Sequence, residues 1–519
     1  MPRFILFFAT ALLFVGQSFW AAQSTAQTCT ASTRYKKSTF PRINVTRDIV
    51  YASADRYDPL NLNLPQDIKL DFYEPASDGL QRRPLVLFFF GGAFEIGDKG
   101  DADVKAWCDS LAHHGYCAAA VNYRLGFNVA STASAIRAVY RAVQDSRAAI
   151  RFFKEKNNFY KIDTTQIFVG GESAGAITAL HTAYLDKDVK APNELHGSLT
   201  EWQDLGCLNC VGSYRRHTVD PKGIISLWGA VYQLSYIEPQ INVPTLMIHG
   251  TADWIVPYDQ GRPFTGSFPS TFPWVYGSVQ MNNRLTATNI YHEFYPYQGQ
   301  SHVFYGLPTG IVTFPNQYWN PVWAQGRNFL YKIMSFNTPT PTGNLTAAFG
   351  STNSYSVAYR AGSTYCWQVT GGTVLAYSNN NATAQIRWNA SGSRSITLTE
   401  TDYKQLAGAS ANVTIGSLAR VSPNNPNNPS ANSPIQHLAA YPNPLGAGQP
   451  LTLDITSAAA NNATATVYDA FGQRLADYQF AVNAGDNKWQ LPTTHLPQGT
   501  YIIAVTVADS REAVKLVIQ

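Results

Sequence analysis

The sequence predicts an α/β fold, a doubly wound and mostly parallel sheet, followed by two small all-β modules. Three observations carry this. Between about residues 67 and 335, runs suited to buried strands alternate with helical patterns, as they do when helices cover both faces of a parallel sheet. The run PLVLFFF (84–90) is apolar throughout, as a strand covered on both faces must be. After residue 343 the pattern changes to short alternating runs split by turn residues, as in small β-sandwiches.

The chain has 519 residues, too many for one core, so two to four domains are expected. Hydrophobic content of 45% and charged content of 14% describe a globular protein with a weakly charged surface. A net charge of only +4 gives no concentrated basic patch, so neither nucleic acid nor anionic lipid is an expected partner. Residues 1–26 read as a secretory signal: Arg3 gives the positive start, Phe4 to Val15 the apolar middle, and Ser24-Thr25-Ala26 the small-residue cleavage site. No other segment is long and apolar enough to span a bilayer, so no stable membrane span is expected in the mature chain. All six cysteines lie beyond the signal, in a chain bound for an oxidising compartment. Cys207 and Cys210, in CLNC, can bridge locally, and Cys108 and Cys117 form a second plausible pair. A zinc knuckle needs four ligands and there is no second C-x-x-C, so no metal is expected.

Taken in order, IKLDFYEP (68–75) reads as an edge strand and PLVLFFF as a central one. A helix follows over 102–115, then the strand YCAAAVNYRL (116–125). A long amphipathic helix covers about 134–157, with Ile136, Val139, Val143, Ala149, Ile150 and Phe153 at mixed three and four spacing. The strand IFVG (167–170) leads into a turn and a helix, then an irregular insertion (186–222). Strands GIISLWGAV (223–231) and VPTLMIHG (243–250), a second insertion (about 259–288), strand IYHEFYPY (290–297) and a helix over 318–335 complete this domain, 27–336. The linker NTPTPTG (337–343) precedes a β-module at 344–421; a second linker (422–434) precedes the last β-module, 435–519.

The chemistry centres on Gly171-Glu172-Ser173-Ala174-Gly175, a G-x-S-x-G in strand–turn–helix context. A nucleophile on so sharp a turn is strained, so nothing bulky fits at the flanking positions, and the following helix aims its first amides at the reacting centre. A serine hydroxyl needs a base to take its proton, and that base needs an orienting acid. In this architecture the order is serine, acid, histidine, each just after a strand. Asp253, in HGTADWIVPY, and His302, in GQSH, fit, with Asp259 and Glu238 as rivals for the acid and His249 as rival for the base. The oxyanion donors should be the amide of Ala174 and those of Gly92 or Ala93, in the loop after PLVLFFF. Phe94, Trp254, Tyr258 and Phe304 are candidates for an apolar substrate wall, or equally for plain core.

Residues 67–335 resemble the α/β-hydrolase superfamily, within it the carboxylesterase and hormone-sensitive-lipase-like esterases. The carriers are FFFGGAFEIGD (88–98), similar to the HGGGF-type oxyanion loop, VNYRLG (121–126), QDSRAAIRFFKEKNNFYKID (144–163), FVGGESAGA (168–176), HGTADWIVPY (249–258) and GQSH (299–302). Phe90 departs from the pattern, standing where the family usually has His. The last residues, through YPNPL (441–445), ATVYDAFGQRL (465–475), LPTTHLPQGTYIIAV (491–505) and VKLVIQ (514–519), resemble the C-terminal sorting domain of the type IX secretion system of Gram-negative bacteria. That resemblance implies the secretion machinery as a partner through 435–519, passage across the outer membrane, and release or surface attachment. The middle module is similar to Ig- or PKD-like domains, through GSTYCWQVTGGTV (362–374) and IRWNASGSRSITLTE (386–400).

The expected activity is hydrolysis of an extracellular ester through an acyl-enzyme on Ser173, with no cofactor: an acetylated or feruloylated polysaccharide, a polyester or a lipid ester. A secreted serine peptidase of the same fold, or a polysaccharide-binding module carried by an inactive hydrolase domain, are the alternatives.

Overall fold

The computed structural model describes residues 32–60, 64–196, 203–264, 271–306, 314–389, 393–417, 434–508 and 510–519. The expected signal, 1–26, and nearly all of the second linker lie outside them. Two units are present: Ala31–Phe336 with Thr401–Gly408, and Asn337–Glu400 with Ala409–Gln519.

The first unit is built on eight strands: β1 (Ile43–Asp55), β2 (Pro65–Pro75), β3 (Arg83–Phe89), β4 (Cys117–Val121), β5 (Ile162–Glu172), β6 (Ile224–Leu227), β7 (Thr245–Gly250) and, after the two-residue strands β8 (Gln260–Gly261) and β9 (Val275–Tyr276), β10 (His292–Tyr297). Their order is β1-β2-β4-β3-β5-β6-β7-β10. Only β2 is antiparallel to its neighbours on both sides, so seven strands share one direction. The chain winds from β3 outward to β4, then returns past β3 to β5. That reversal makes β3 and β5 neighbours at the point where ligands sit in open α/β sheets. This is the α/β-hydrolase arrangement.

Helices α1 (Ala102–His113), α2 (Thr132–Glu155), α3 (Asn157–Tyr160), α4 (Ala174–Tyr184), α5 (Ser278–Ala287) and α6 (Trp319–Met334) cover the sheet. Helix α2 starts where the Ser131 side chain accepts the Ser134 amide (3.1 Å), an N-cap, and runs without Gly or Pro to Glu155. Trp107 of α1 is fully buried, stacked on Phe88 of β3 (5.1 Å between centroids) and edge-on to Trp319 and Trp323 of α6. Burying a side chain of that size contributes about 3 kcal/mol relative to leaving it exposed.

The insertion after α4 has little regular structure, and α2 holds it. Arg137 donates to the carbonyls of Glu194 (3.0 Å) and Leu195 (2.9 Å), and Gln144 to those of Leu205 (2.7 Å) and Cys207 (2.8 Å). Arg147 and Arg151 both reach Oδ1 of Asn209. A loop's buried carbonyls need donors, and this face of α2 supplies them. Cys207 and Cys210 are bridged within it.

Three expectations are corrected. The edge strand is β1, not the 68–75 strand, which lies second in the sheet; β1 is half-exposed and bulged near Asp48, so its apolar residues do not alternate cleanly. The second insertion contains a helix, α5, whose polar sequence SVQMNNRLTA buries only Ser278, Met281 and Leu285. Cys108 and Cys117 are free and buried, not paired. Burial raises both thiols, but Cys108 faces Asp109 and Asp71, whereas Cys117 faces Arg83 and Glu74, so the two sulfurs have different surroundings. Cys366, in the other unit, is disulfide-bonded.

Thr401–Gly408 belongs to this first unit although it lies far along the chain. Leu406 is fully buried in its core, Tyr403 donates to Asp163, and the Tyr35 hydroxyl donates to the Lys404 carbonyl (3.0 Å). The second unit is all β, with two separate cores. Strands Thr342–Gly343, Thr352–Ser356, Thr383–Trp388 and Gly372–Ser378 form one sheet and Thr364–Thr370, Ser395–Thr401 and Ala411–Thr414 another, around Tyr355, Trp367, Ile386 and Trp388. The C-terminal module has sheets of three and four antiparallel strands around Leu453, Ile455, Val467, Ile503 and Val505.

Candidate active site

Ser173 sits between the last residue of β5 and the first of α4, with φ 53° and ψ −119°. Only a close approach allows this turn. A Cβ on Gly175 would collide with the carbonyl of Phe89 at the end of β3, so the residue after the turn must be glycine. The Ser173 amide is bonded to the Leu227 carbonyl at the end of β6 (3.0 Å), which fixes the turn against the sheet.

His302 follows β10 and Asp253 follows β7, neighbouring strands. Nε2 of His302 lies 2.8 Å from Oγ of Ser173, and Nδ1 lies 2.7 Å from Oδ2 of Asp253. The carboxylate can only accept, so Nδ1 carries the proton and Nε2 is free to accept from the serine hydroxyl. Oδ1 of Asp253 accepts the amides of Ile255 (2.9 Å) and Val256 (3.0 Å). Burial alone would raise this carboxyl, but the bonds from His249 and His302 hold it well below the usual carboxylate range. A hydroxyl bonded to an imidazole, itself bonded to a buried carboxylate, is an arrangement in which the imidazole can take the hydroxyl proton and hand it on.

Of the rival residues, His249 is bonded to Asp253 (Nε2 to Oδ2, 3.1 Å) and to Ser278 Oγ (Nδ1, 2.8 Å), not to Ser173. Glu238 pairs with Lys190 (2.9 Å), and Asp259 accepts from Gln280 (2.8 Å).

Gly92, Ala93 and Phe94, in the loop after β3, have φ of 109°, 56° and 64°. The amides of Glu95 (3.0 Å) and Ile96 (3.1 Å) both donate to the Gly92 carbonyl and close the loop into one tight turn. Ala93 and Ala174 border the same cavity as Ser173, and Ala174, as the first residue of α4, has no partner for its amide within the helix. Phe90, in the position the family gives to His, stacks on Tyr123 (4.3 Å), whose hydroxyl donates to the Phe90 carbonyl (2.8 Å). The loop is thus propped by an aromatic pair. Trp228, just after β6, and Val303, next to His302, are also at positive φ (43° and 47°), a backbone state that costs energy for residues with side chains of this size.

Two features were not legible in sequence. One is Glu172, next to the serine: its buried carboxyl accepts the Trp228 indole N–H (2.9 Å) and the Gly91 amide. Burial, reinforced by nearby Asp103, pushes it up to about 8. The other is the cavity, about 850 Å³ counting its open mouth, which runs from Ser173 between α2 and α4. Phe94 lines it. Trp254, Tyr258 and Phe304 do not: Trp254 is 48% exposed, Tyr258 stands edge-on to His249 (5.6 Å), and Phe304 stacks on Tyr297 (4.5 Å). The period of α2 announced its buried face but not that part of that face borders empty space.

Comparison with known proteins locates two matches. Residues 70–206 match the family described as BD-FAE, and residues 439–519 match the Secretion system C-terminal sorting domain. A probable isoprenylcysteine alpha-carbonyl methylesterase of Oryza sativa subsp. japonica is 26% identical over 251 residues, 43% of this chain. The chain spans about half the length of that curated relative, 53%. Among solved structures, a thermophilic esterase of the Planctomycetes species Thermogutta terrifontis aligns at 20% identity over 57% of this chain and 93% of its own, with a TM-score of 0.37. A truncated carbohydrate esterase from gut microbiota aligns at 17% identity over 57% of this chain and 98% of its own, with a TM-score of 0.39. Among the described residues no helix is long and apolar enough to cross a membrane.

Proposed function

We propose that this chain is a serine carboxylic-ester hydrolase, exported through its C-terminal sorting domain to act outside the cell. The observation that carries the reading is the continuous line of bonds from Ser173 Oγ through His302 to Asp253, at 2.8 and 2.7 Å. The match of residues 70–206 to BD-FAE and the likeness to a methylesterase support ester over amide chemistry.

In this mechanism Oγ of Ser173 bonds to the ester carbonyl carbon while its proton passes to Nε2 of His302. The carbonyl oxygen becomes an oxyanion held by the amides of Ala174 and of Ala93 or Gly92. On collapse the bond to the alcohol oxygen breaks, and that oxygen takes the proton from Nε2. A water then repeats the sequence: its proton goes to His302, its oxygen bonds to the acyl carbon, and Ser173 leaves with the proton. Asp253 holds the imidazole with its proton on Nδ1 and stabilises the imidazolium between steps. One oxyanion donor is worth roughly 10²–10³ in turnover. No step in this sequence calls on a cofactor.

The experiment is a panel of nitrophenyl esters with wild type and Ser173→Ala. The reading expects a fall in kcat/KM of roughly 10⁴–10⁶ on removing the hydroxyl. A rate that survives the substitution rejects it.

A further inference from the structure

The cavity beside Ser173 has a direction and a chemistry. Its long wall is one face of α4: Ala174, Ile177 and His181 recur at helical spacing from the serine inward, and Leu185 follows at the helix end. At 1.5 Å per residue, the eight steps from Ser173 to His181 span about 12 Å, roughly the extended length of a medium acyl chain. The facing wall is α2, through Ile136, Val139 and Val143.

No charged side chain lines this cavity among the described residues. His181, the one titratable imidazole in the wall, is buried: its Nδ1–H donates to the Ile177 carbonyl (2.7 Å) and its Nε2 accepts the Tyr232 amide (3.1 Å). Burial lowers its imidazolium to about 4, so it presents a neutral, satisfied ring. The other polar groups of the wall are the hydroxyls of Tyr140, which donates to the Gly206 carbonyl (3.0 Å), of Tyr232, and of Tyr236, which is buried with no hydrogen-bond partner among the described residues. These are neutral, so a carboxylate entering here would lose its water and meet no counter-charge. An alkyl chain loses nothing.

The cavity's position also decides which half of an ester enters it. His302 must protonate the departing alcohol oxygen, so the alcohol lies on the His302 side. Neither His302 nor the neighbouring Phe304 lines the cavity, whereas Ala93 and Ala174 do. The space therefore lies on the acyl side of the reacting carbon.

We infer that the enzyme selects esters of medium-length, uncharged aliphatic acids, with the α4 face acting as a ruler for acyl length. This rests on the serine-hydrolase reading above. Each methylene buried is worth up to about fourfold in kcat/KM. Acetyl groups leave the slot empty, and dicarboxylate half-esters meet no counter-charge in it.

The test is kcat/KM of the full-length protein for nitrophenyl acetate, butyrate, octanoate and dodecanoate, with methyl ferulate and a succinate half-ester as comparisons. The expected result is a rise of tenfold or more from acetate to octanoate, with the succinate half-ester below butyrate. Ile177→Trp, near the serine, should lower the octanoate-to-acetate ratio at least tenfold. Leu185→Trp, at the far end, should spare octanoate and penalise dodecanoate. In the wild-type protein, inactivation by nitrophenyl alkylphosphonates should accelerate with chain length in the same order, which reads the slot without any substitution. A flat or falling series from acetate to octanoate, or a preference for ferulate over octanoate, overturns the inference while Ser173-dependent hydrolysis still stands. Loss of Ser173 dependence overturns the underlying reading instead.

Discussion

Nε2 of His249 lies 3.1 Å from Oδ2 of Asp253, the same carboxylate oxygen that His302 reaches at 2.7 Å. Two imidazoles share one acceptor, and a shared acceptor is a weaker partner to each. His249 is also tied to the Val256 carbonyl (3.1 Å) and to Ser278 (2.8 Å), so it holds the turn that carries Asp253. His249→Ala should therefore lower kcat by about tenfold, the value of one good hydrogen bond, with KM little changed. His249→Gln, which can return an N–H to Asp253, should restore most of the rate. An unchanged kcat in the Ala variant would make His249 a packing residue only.

Asp253 makes a prediction about stability as well. Its carboxyl lies below its unfolded value, so the stability it contributes is present above about pH 4 and is lost as pH falls towards the folded value. Asp253→Asn should lower kcat roughly 10³–10⁴-fold at neutral pH, because the amide cannot hold His302 in the same tautomer. In urea unfolding, the stability gap between wild type and this variant should shrink below about pH 4.

Glu172 runs the other way. Its folded value near 8 lies above the unfolded one, so the folded state binds an extra proton between about pH 4 and 8, and stability declines as pH rises through that window. Glu172→Gln keeps an acceptor for the Trp228 indole and cannot ionise. Its melting temperature should match wild type near pH 5 and exceed it near pH 9, as a thermal scan across pH would record.

Gly91→Ala tests the link between that carboxyl and the loop after β3. A Cβ on Gly91 would land on the Glu172 carboxyl, so either the loop or the carboxyl must shift. A displacement of about 1 Å at a positioned donor costs on the order of 10²-fold, which should appear in kcat with KM little changed.

The centre of the sheet was legible because β3, β4, β6 and β7 are short runs buried at every residue. PLVLFFF is buried at every residue that falls in β3, and the expected strands after residue 223 begin and end within a few residues of those observed. The positions of Ser173, Asp253 and His302 were legible for the same reason, since each follows a run whose carboxyl end lies on one rim of the sheet. What sequence concealed depends on packing between distant segments. Phe304, Tyr258 and Trp254 lie close to His302 and Asp253 in chain position, but a few residues of loop decide whether a ring turns into a cavity or into its neighbours. Conversely, Ile136 and Val143 read as ordinary core, and only the distance between α2 and α4 makes them a wall. Polar α5 and the half-exposed β1 had too little apolar period to register.

The segment Thr401–Gly408 sets an order of events. Protein synthesis runs from the amino end, so everything from β1 to α6 is made before Leu406 exists to fill its place, and before Tyr403 and Lys404 reach Asp163 and Tyr35. A nascent chain that has just cleared residue 336 holds a first unit with an open seam, and its last stitch arrives only with residue 408. Trimming the gene at the first linker would make that unfinished state permanent.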